Sequence, residues 1–73
     1  MKKVTPKALF KVLKKLGFRE TRVKGSHHRF AHSDGRKTTV PVHGKEPIGE
    51  GLLLKIIRKD LEMEKEDFLK LLK

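Results

Sequence analysis

At 73 residues the chain has room for one small domain, and a chain of this size buries only about 60% of its unfolded surface, which leaves no space for a deep pocket around a large organic cofactor. Cysteine is absent, excluding disulfides, thiolate zinc sites and a cysteine nucleophile; no apolar run approaches the roughly 20 residues that span a bilayer, and the Met1–Pro6 start carries no secretion signal, so a cytoplasmic protein is expected. The net charge of +10 is lopsided, with 13 Lys and Arg against only Glu20 and Asp34 through Lys45 and 6 against 7 acids from Glu46 onward, so the positive field belongs to the first two thirds and points to a polyanion, above all nucleic acid.

Thr5-Pro6 is a helix start: the Thr5 hydroxyl can cap free N–H groups, and the missing N–H of Pro6 costs nothing in the first turn. The first helix is predicted from Pro6 to about Leu16. Leu9, Val12, Leu13 and Leu16 follow the i, i+3, i+4, i+7 pattern of one buried face, and Lys7, Lys11, Lys14 and Lys15 surround the rest. Gly17 is the left-handed C-terminal cap, with Phe18 folding back on Leu13. A basic amphipathic helix can also lie on an anionic membrane, but the strand-like segments that follow favour packing against a core.

From Phe18 to His43 the apolar period changes to about two. Phe18 to Val23 reads as one strand, Lys24-Gly25-Ser26 as a turn, and His27 to His32 as a second strand. Ser33-Asp34-Gly35-Arg36 carries the Asp-Gly hairpin signal, and Lys37 to Val42 forms a third strand. Side chains alternate across a sheet, so His28, Phe30 and His32 share one face and His27, Arg29 and Ala31 the other. Phe30 is the natural core residue, which sends His27 and Arg29 to the open face. Pro41 lacks an N–H for a ladder, so the third strand belongs at an edge.

Pro47 to Gly51 leads into a second helix reaching about Lys59, with Leu52, Leu53, Ile56 and Ile57 as its apolar stripe. A break over Asp60 to Met63 precedes a short helical segment from Glu64 to Leu72, whose acids suit its N-terminus. The order α-β-β-β-α(-α) predicts an α+β fold occupying residues 1–73, a three-stranded antiparallel sheet with helices on one face.

The segment Lys24-Gly25-Ser26-His27-His28-Arg29-Phe30 gathers a glycine turn, a hydroxyl, imidazoles and cations at a strand start. These are the groups a phosphodiester site needs. A neutral imidazole, with an ordinary pKa near 6.5, can take the proton from a ribose 2′-OH, and Lys24 and Arg29 can hold the scissile phosphate against its growing charge. Two adjacent strand histidines face opposite sides, so at least one is free to pack or hydrogen-bond instead, and His28 is the better structural partner. Gly25 and Ser26 serve equally as an ordinary hairpin turn or as phosphate contacts. His28, His32 and His43 could in principle ligate a metal, but without an HExxH helix or cysteines no metal site is expected, and no cofactor. Lys2, Lys3, Lys7, Lys11, Lys14 and Lys15 are candidates for general phosphate contact. Low aromatic content argues against base stacking as the main contact.

These residues resemble a known family. Leu16-Gly17-Phe18 closing the first helix, the Gly25-Ser26-His27-His28-x-Phe30 segment, the Asp34-Gly35 hairpin, Val40-Pro41-Val42-His43, Ile56-Ile57-Arg58 and the closing Glu66-Asp67-Phe68-Leu69 are similar in order and spacing to HicA, the small ribonuclease toxins of toxin–antitoxin systems. The resemblance implies a double-stranded-RNA-binding-domain-like fold, cleavage of mRNA to arrest translation, and a HicB-type antitoxin as partner. It also implies that the histidine directly after Gly-Ser, here His27, acts in catalysis, with Gly25 and Ser26 shaping the turn and contacting a phosphate. By their charge and place in the sequence, Lys24, Arg29, Lys7 and Lys11 are expected to contact RNA. Two other readings use the same basic face: a non-catalytic double-stranded-RNA binder, and an interaction module for an acidic protein.

Overall fold

A capped helix opens the fold. In the computed structural model, which describes residues 3–72 and so leaves Lys2 outside the described residues, Thr5 Oγ1 accepts a hydrogen bond from the Ala8 N–H at 3.2 Å. Pro6 stands in the first turn of α1, Pro6–Lys15. Leu9, Val12 and Leu13 are buried as their spacing demands, Leu16 is half-buried, and the lysines are exposed. Gly17, at φ +97°, donates to the Lys14 carbonyl, and the Phe18 N–H reaches back to Leu13 O at 2.9 Å. This is a Schellman cap, and it explains why the first strand starts one residue later than the alternation predicts. Phe18 is tied to the helix end and its ring is buried in the core.

The three strands are β1 Arg19–Lys24, β2 His27–Ala31 and β3 Lys37–Pro41, antiparallel in the order β1-β2-β3. Pro41 lies in an edge strand, as expected. His32 and Val42 fall outside the strands they were assigned to. The His32 N–H closes the β2–β3 loop on Arg36 O at 2.9 Å, and the Val42 N–H is drawn to Ser26 O at 2.7 Å. In that loop Gly35 takes φ +100° and bonds His32 O, the geometry of a three-residue hairpin connection with its glycine in the left-handed position.

The second helix, α2 Glu50–Lys55, runs on into a π-helical turn, Ile56–Asp60, in which the Leu61 N–H reaches Ile56 O. Leu53, Ile56 and Ile57 are buried, but Leu52 is 38% exposed, because consecutive helical positions point about 100° apart and Leu53 takes the inward one. Helix α3, Lys65–Leu71, follows the predicted break and inserts Phe68. The helices cover the sheet face that presents Phe30, Thr38 and Val40, and Leu61 and Phe68 complete the core. Thr38 is the one buried polar side chain among the described residues, and it donates to Asp60 Oδ2 at 2.9 Å. The result is an α+β fold of order α-β-β-β-α-α with an open three-stranded sheet, consistent with a double-stranded-RNA-binding-domain-like architecture.

Candidate functional site

The site is built on the β1–β2 hairpin. Lys24 pairs with His27 across a two-residue connection of Gly25 and Ser26, so Gly25 occupies the first central position at φ +58°. A type II′ turn requires positive φ there, which a side chain would strain. The Ser26 carbonyl accepts from Val42, so the turn is held from the β3 side as well.

His27 opens the central strand with its side chain exposed, between Lys24 on β1 and Pro41 on β3. Residues paired directly across an antiparallel ladder share a face, so the register defines three rows on the side away from Phe30. The first holds Lys24, His27 and Pro41; the second Arg22, Arg29 and Thr39; the third Arg19, Ala31 and Lys37. All five cations are exposed, and none of the rows contains a carboxylate. A groove of about 420 Å³ is lined by Thr21, Arg29, Ala31, Lys37 and Thr39 together with Phe30 and Thr38.

A bulge makes the face uniform. Strict alternation would place Glu20 with Arg22 and Lys24 and put Arg19 on the other side. The register instead shifts between Glu20 and Arg22, leaving Thr21 unpaired. Its hydroxyl donates to Arg29 O at 3.4 Å. Glu20 thereby joins Phe30 on the helix side, and Arg19 joins Arg22 on the open side. Arg19 was missed in the sequence because an unmarked bulge decides its face, and Arg22 and Lys37 because the cross-strand register that lines them up with His27 and Arg29 is not written within either strand.

Two of the other histidines are committed elsewhere. His28 Nδ1 lies 2.9 Å from Glu20 Oε2, and its ring stands 5.2 Å from Phe10, which in turn packs on Phe30. His32 Nδ1 lies 3.0 Å from the Asp34 backbone N and 3.1 Å from Asp34 Oδ1, and Nε2 donates to Leu16 O at 3.0 Å. It thus joins the β2–β3 loop to the end of α1. The backbone N–H of Arg36, donating to Oδ1, holds the Asp34 carboxyl below its ordinary pKa, helped by the Arg36 side chain and His32. His43 is exposed just beyond β3. Among the described residues no three His, Asp or Glu side chains gather as a metal-ligand set.

Of the residues singled out in the sequence, the fold brings Lys24, Gly25, Ser26, His27 and Arg29 together and separates Lys7 and Lys11 from them. Those two line a groove between α1 and the end of α3 with Lys15, Leu71 and Leu72, in the helical layer. No described helix is long and apolar enough to cross a membrane.

The family model for the HicA toxin of bacterial toxin–antitoxin systems matches residues 6–63, most of the chain and all three strands. The comparison with individual curated proteins returned no match.

Proposed function

Since the chain belongs to the HicA toxin family of bacterial toxin–antitoxin systems, we propose that it is a metal-independent endoribonuclease that cleaves mRNA, with His27 as the proton-transfer group. The observation that carries this reading is the placement of His27: exposed at the start of the central strand, flanked by Lys24 and Arg29, on a face whose paired rows hold no carboxylate. The neutral imidazole of His27 takes the proton from a ribose 2′-OH. The 2′ oxygen then attacks the adjacent phosphorus, the P–O5′ bond breaks, and the departing 5′ oxygen takes up a proton. Lys24 and Arg29 oppose the charge that accumulates on the phosphoryl oxygens, which is where fixed cations lower the barrier most. A single histidine does not reach both ends of the reaction, so Lys24 or solvent supplies the second proton transfer. Gly25 and Ser26 set the turn against the phosphate, and Lys7 and Lys11 add weaker phosphate contacts from the helical layer.

Residues 1–73 act as one RNA-binding and cleaving unit in the cytoplasm. An acidic HicB-type antitoxin is the partner that covers the basic face and silences it, because a protein that competes with RNA must match the same field. The experiment is cleavage of an end-labelled RNA in excess EDTA with analysis of the product ends. Persistent cleavage yielding 2′,3′-cyclic phosphate and 5′-hydroxyl ends supports the reading. Loss of cleavage on chelation, or 3′-hydroxyl and 5′-phosphate ends, contradicts it.

A further inference from the structure

We propose that the open face of the sheet is a track for the sugar–phosphate backbone of single-stranded RNA, with successive phosphates seated on the rows led by Lys24, by Arg22 and Arg29, and by Arg19 and Lys37. The inference rests on His27 as the cleaving group and adds to it the form of RNA admitted and the direction in which the strand extends from the cut.

Side chains on one face of a strand recur every two residues, about 6.8 Å, close to the separation of successive phosphates in an extended strand. A strand laid along β2 from His27 toward Ala31 therefore meets a new cationic row at each phosphate. Three strands at about 4.8 Å spacing make a face about 10 Å across, wide enough for one backbone but not for both backbones of a duplex. Apart from the His27 imidazole, the same face offers no ring on which a base could stack. The chain has no Tyr or Trp; Phe18, Phe30 and Phe68 are buried, and Phe10 is turned against His28 and Phe30. Thr21, Thr39 and Ala31 fill the space between the cations with small side chains, so the backbone can approach closely. Bases point away from the sheet, and contact is with phosphate, which positions a strand without reading it. The Thr21 bulge is what permits this, since it removes Glu20 from the face and adds Arg19.

Binding is measured with the full chain and a fluorescein-labelled 2′-O-methyl oligouridine of about eight nucleotides, a length within the usual site sizes for single strands. Lacking a free 2′-OH, this strand cannot be cut by the proposed route. Each phosphate contact contributes about 0.7 to the log–log salt slope for a single strand, and Arg22 and Arg29 share one row and its phosphate, so Arg22→Gln with Arg29→Gln lowers the slope by about 0.7. Between about 50 and 200 mM salt, the wild type's loss of affinity then exceeds the variant's by about 2.6-fold. Arg22→Lys with Arg29→Lys restores the slope, because a point charge suffices. Arg58→Gln with Lys59→Gln, at exposed positions beyond the sheet, leaves it unchanged. The proposal is overturned if the sheet variant keeps the wild-type slope, if the Arg58/Lys59 variant lowers it equally, or if an RNA duplex binds more tightly than the single strand. Binding to polyglutamate but to no oligonucleotide also overturns it and makes the face a protein-docking surface. The two readings fail separately: a track that binds without cleavage of ordinary RNA by the wild type removes the ribonuclease, and cleavage with an indifferent sheet removes the track.

Discussion

At the scale of single residues, the four histidines show how one residue type divides between structure and chemistry. Glu20 occupies Nδ1 of His28, and Asp34 and Leu16 occupy the two ring nitrogens of His32, whereas His27 and His43 are exposed, and of these two only His27 stands on the sheet. The split between His27 and His28 was legible in the sequence, because Phe30 fixes which parity faces the core. The role of His32 was not, since its partners lie 16 residues back in α1 and two residues ahead in a loop. Gly17 is constrained twice over: its φ of +97° disfavours a side chain, and a Cβ there would stand 3.0 Å from His32 Nε2. Gly17→Ala is accordingly expected to destabilise the fold by at least about 1–2 kcal/mol, read as a lowered urea midpoint. Asp34 gives a pH dependence with a definite sign. Its carboxyl is held below the ordinary value in the folded state, so its contribution is present above that value and is lost as pH falls through the lowered one. In a melting series from neutral pH downward, Asp34→Asn should lower the neutral-pH melting temperature and lose less than the wild type as the medium becomes acidic.

At the scale of elements, the helices and strands follow from period, caps and turn residues, and the departures occur where a backbone irregularity carries no residue signature. The Schellman cap was marked by Gly17, and the β1–β2 turn by Gly25. The break after α2 was placed correctly from the acids that follow it, but the residue that makes it is Glu62, at φ +54°, where glycine is the usual occupant. With the Met63 N–H bonded to Ile57 O, the left-handed residue ends the π-helical turn and redirects the chain into α3. Glu62→Gly relieves that conformation at the cost of a more flexible unfolded chain, and a net gain of up to about 1 kcal/mol is expected. An unchanged or lowered urea midpoint would show that the Glu62 side chain contributes more than its backbone costs. The Thr21 bulge is the other unmarked irregularity, and it has the larger functional consequence. A one-residue shift exchanges Glu20 for Arg19 on the open face, a change the alternation in β1 could not foretell.

At the scale of the whole molecule, the excess positive charge in the first two thirds of the sequence becomes a surface. The hairpin and β3 contribute Lys24, Arg22, Arg29, Arg19 and Lys37 to one side of the sheet, while the helical layer on the other side closes the core. Among the described residues every buried side chain is apolar except Thr38, so the ionisable groups stand outside the core. The composition announced a polyanion partner, and the α-β-β-β-α order announced the sheet. Which lysines stand near His27 required the three-dimensional register, which is why Lys7 and Lys11 were grouped with the hairpin in the sequence and lie apart from it in the fold.

Whether this face cuts RNA through His27 is read most directly from the single-turnover cleavage rate of a labelled RNA, in excess EDTA, by wild type and by His27→Ala. Both proteins are first matched for circular dichroism and for affinity toward an uncleavable 2′-O-methyl strand. Equal binding and a rate lower by about 10²–10⁴-fold in the variant are expected, the range a positioned acid–base group contributes. Equal rates would remove His27 from the chemistry, and an inert wild type that binds RNA tightly would make the protein a binder.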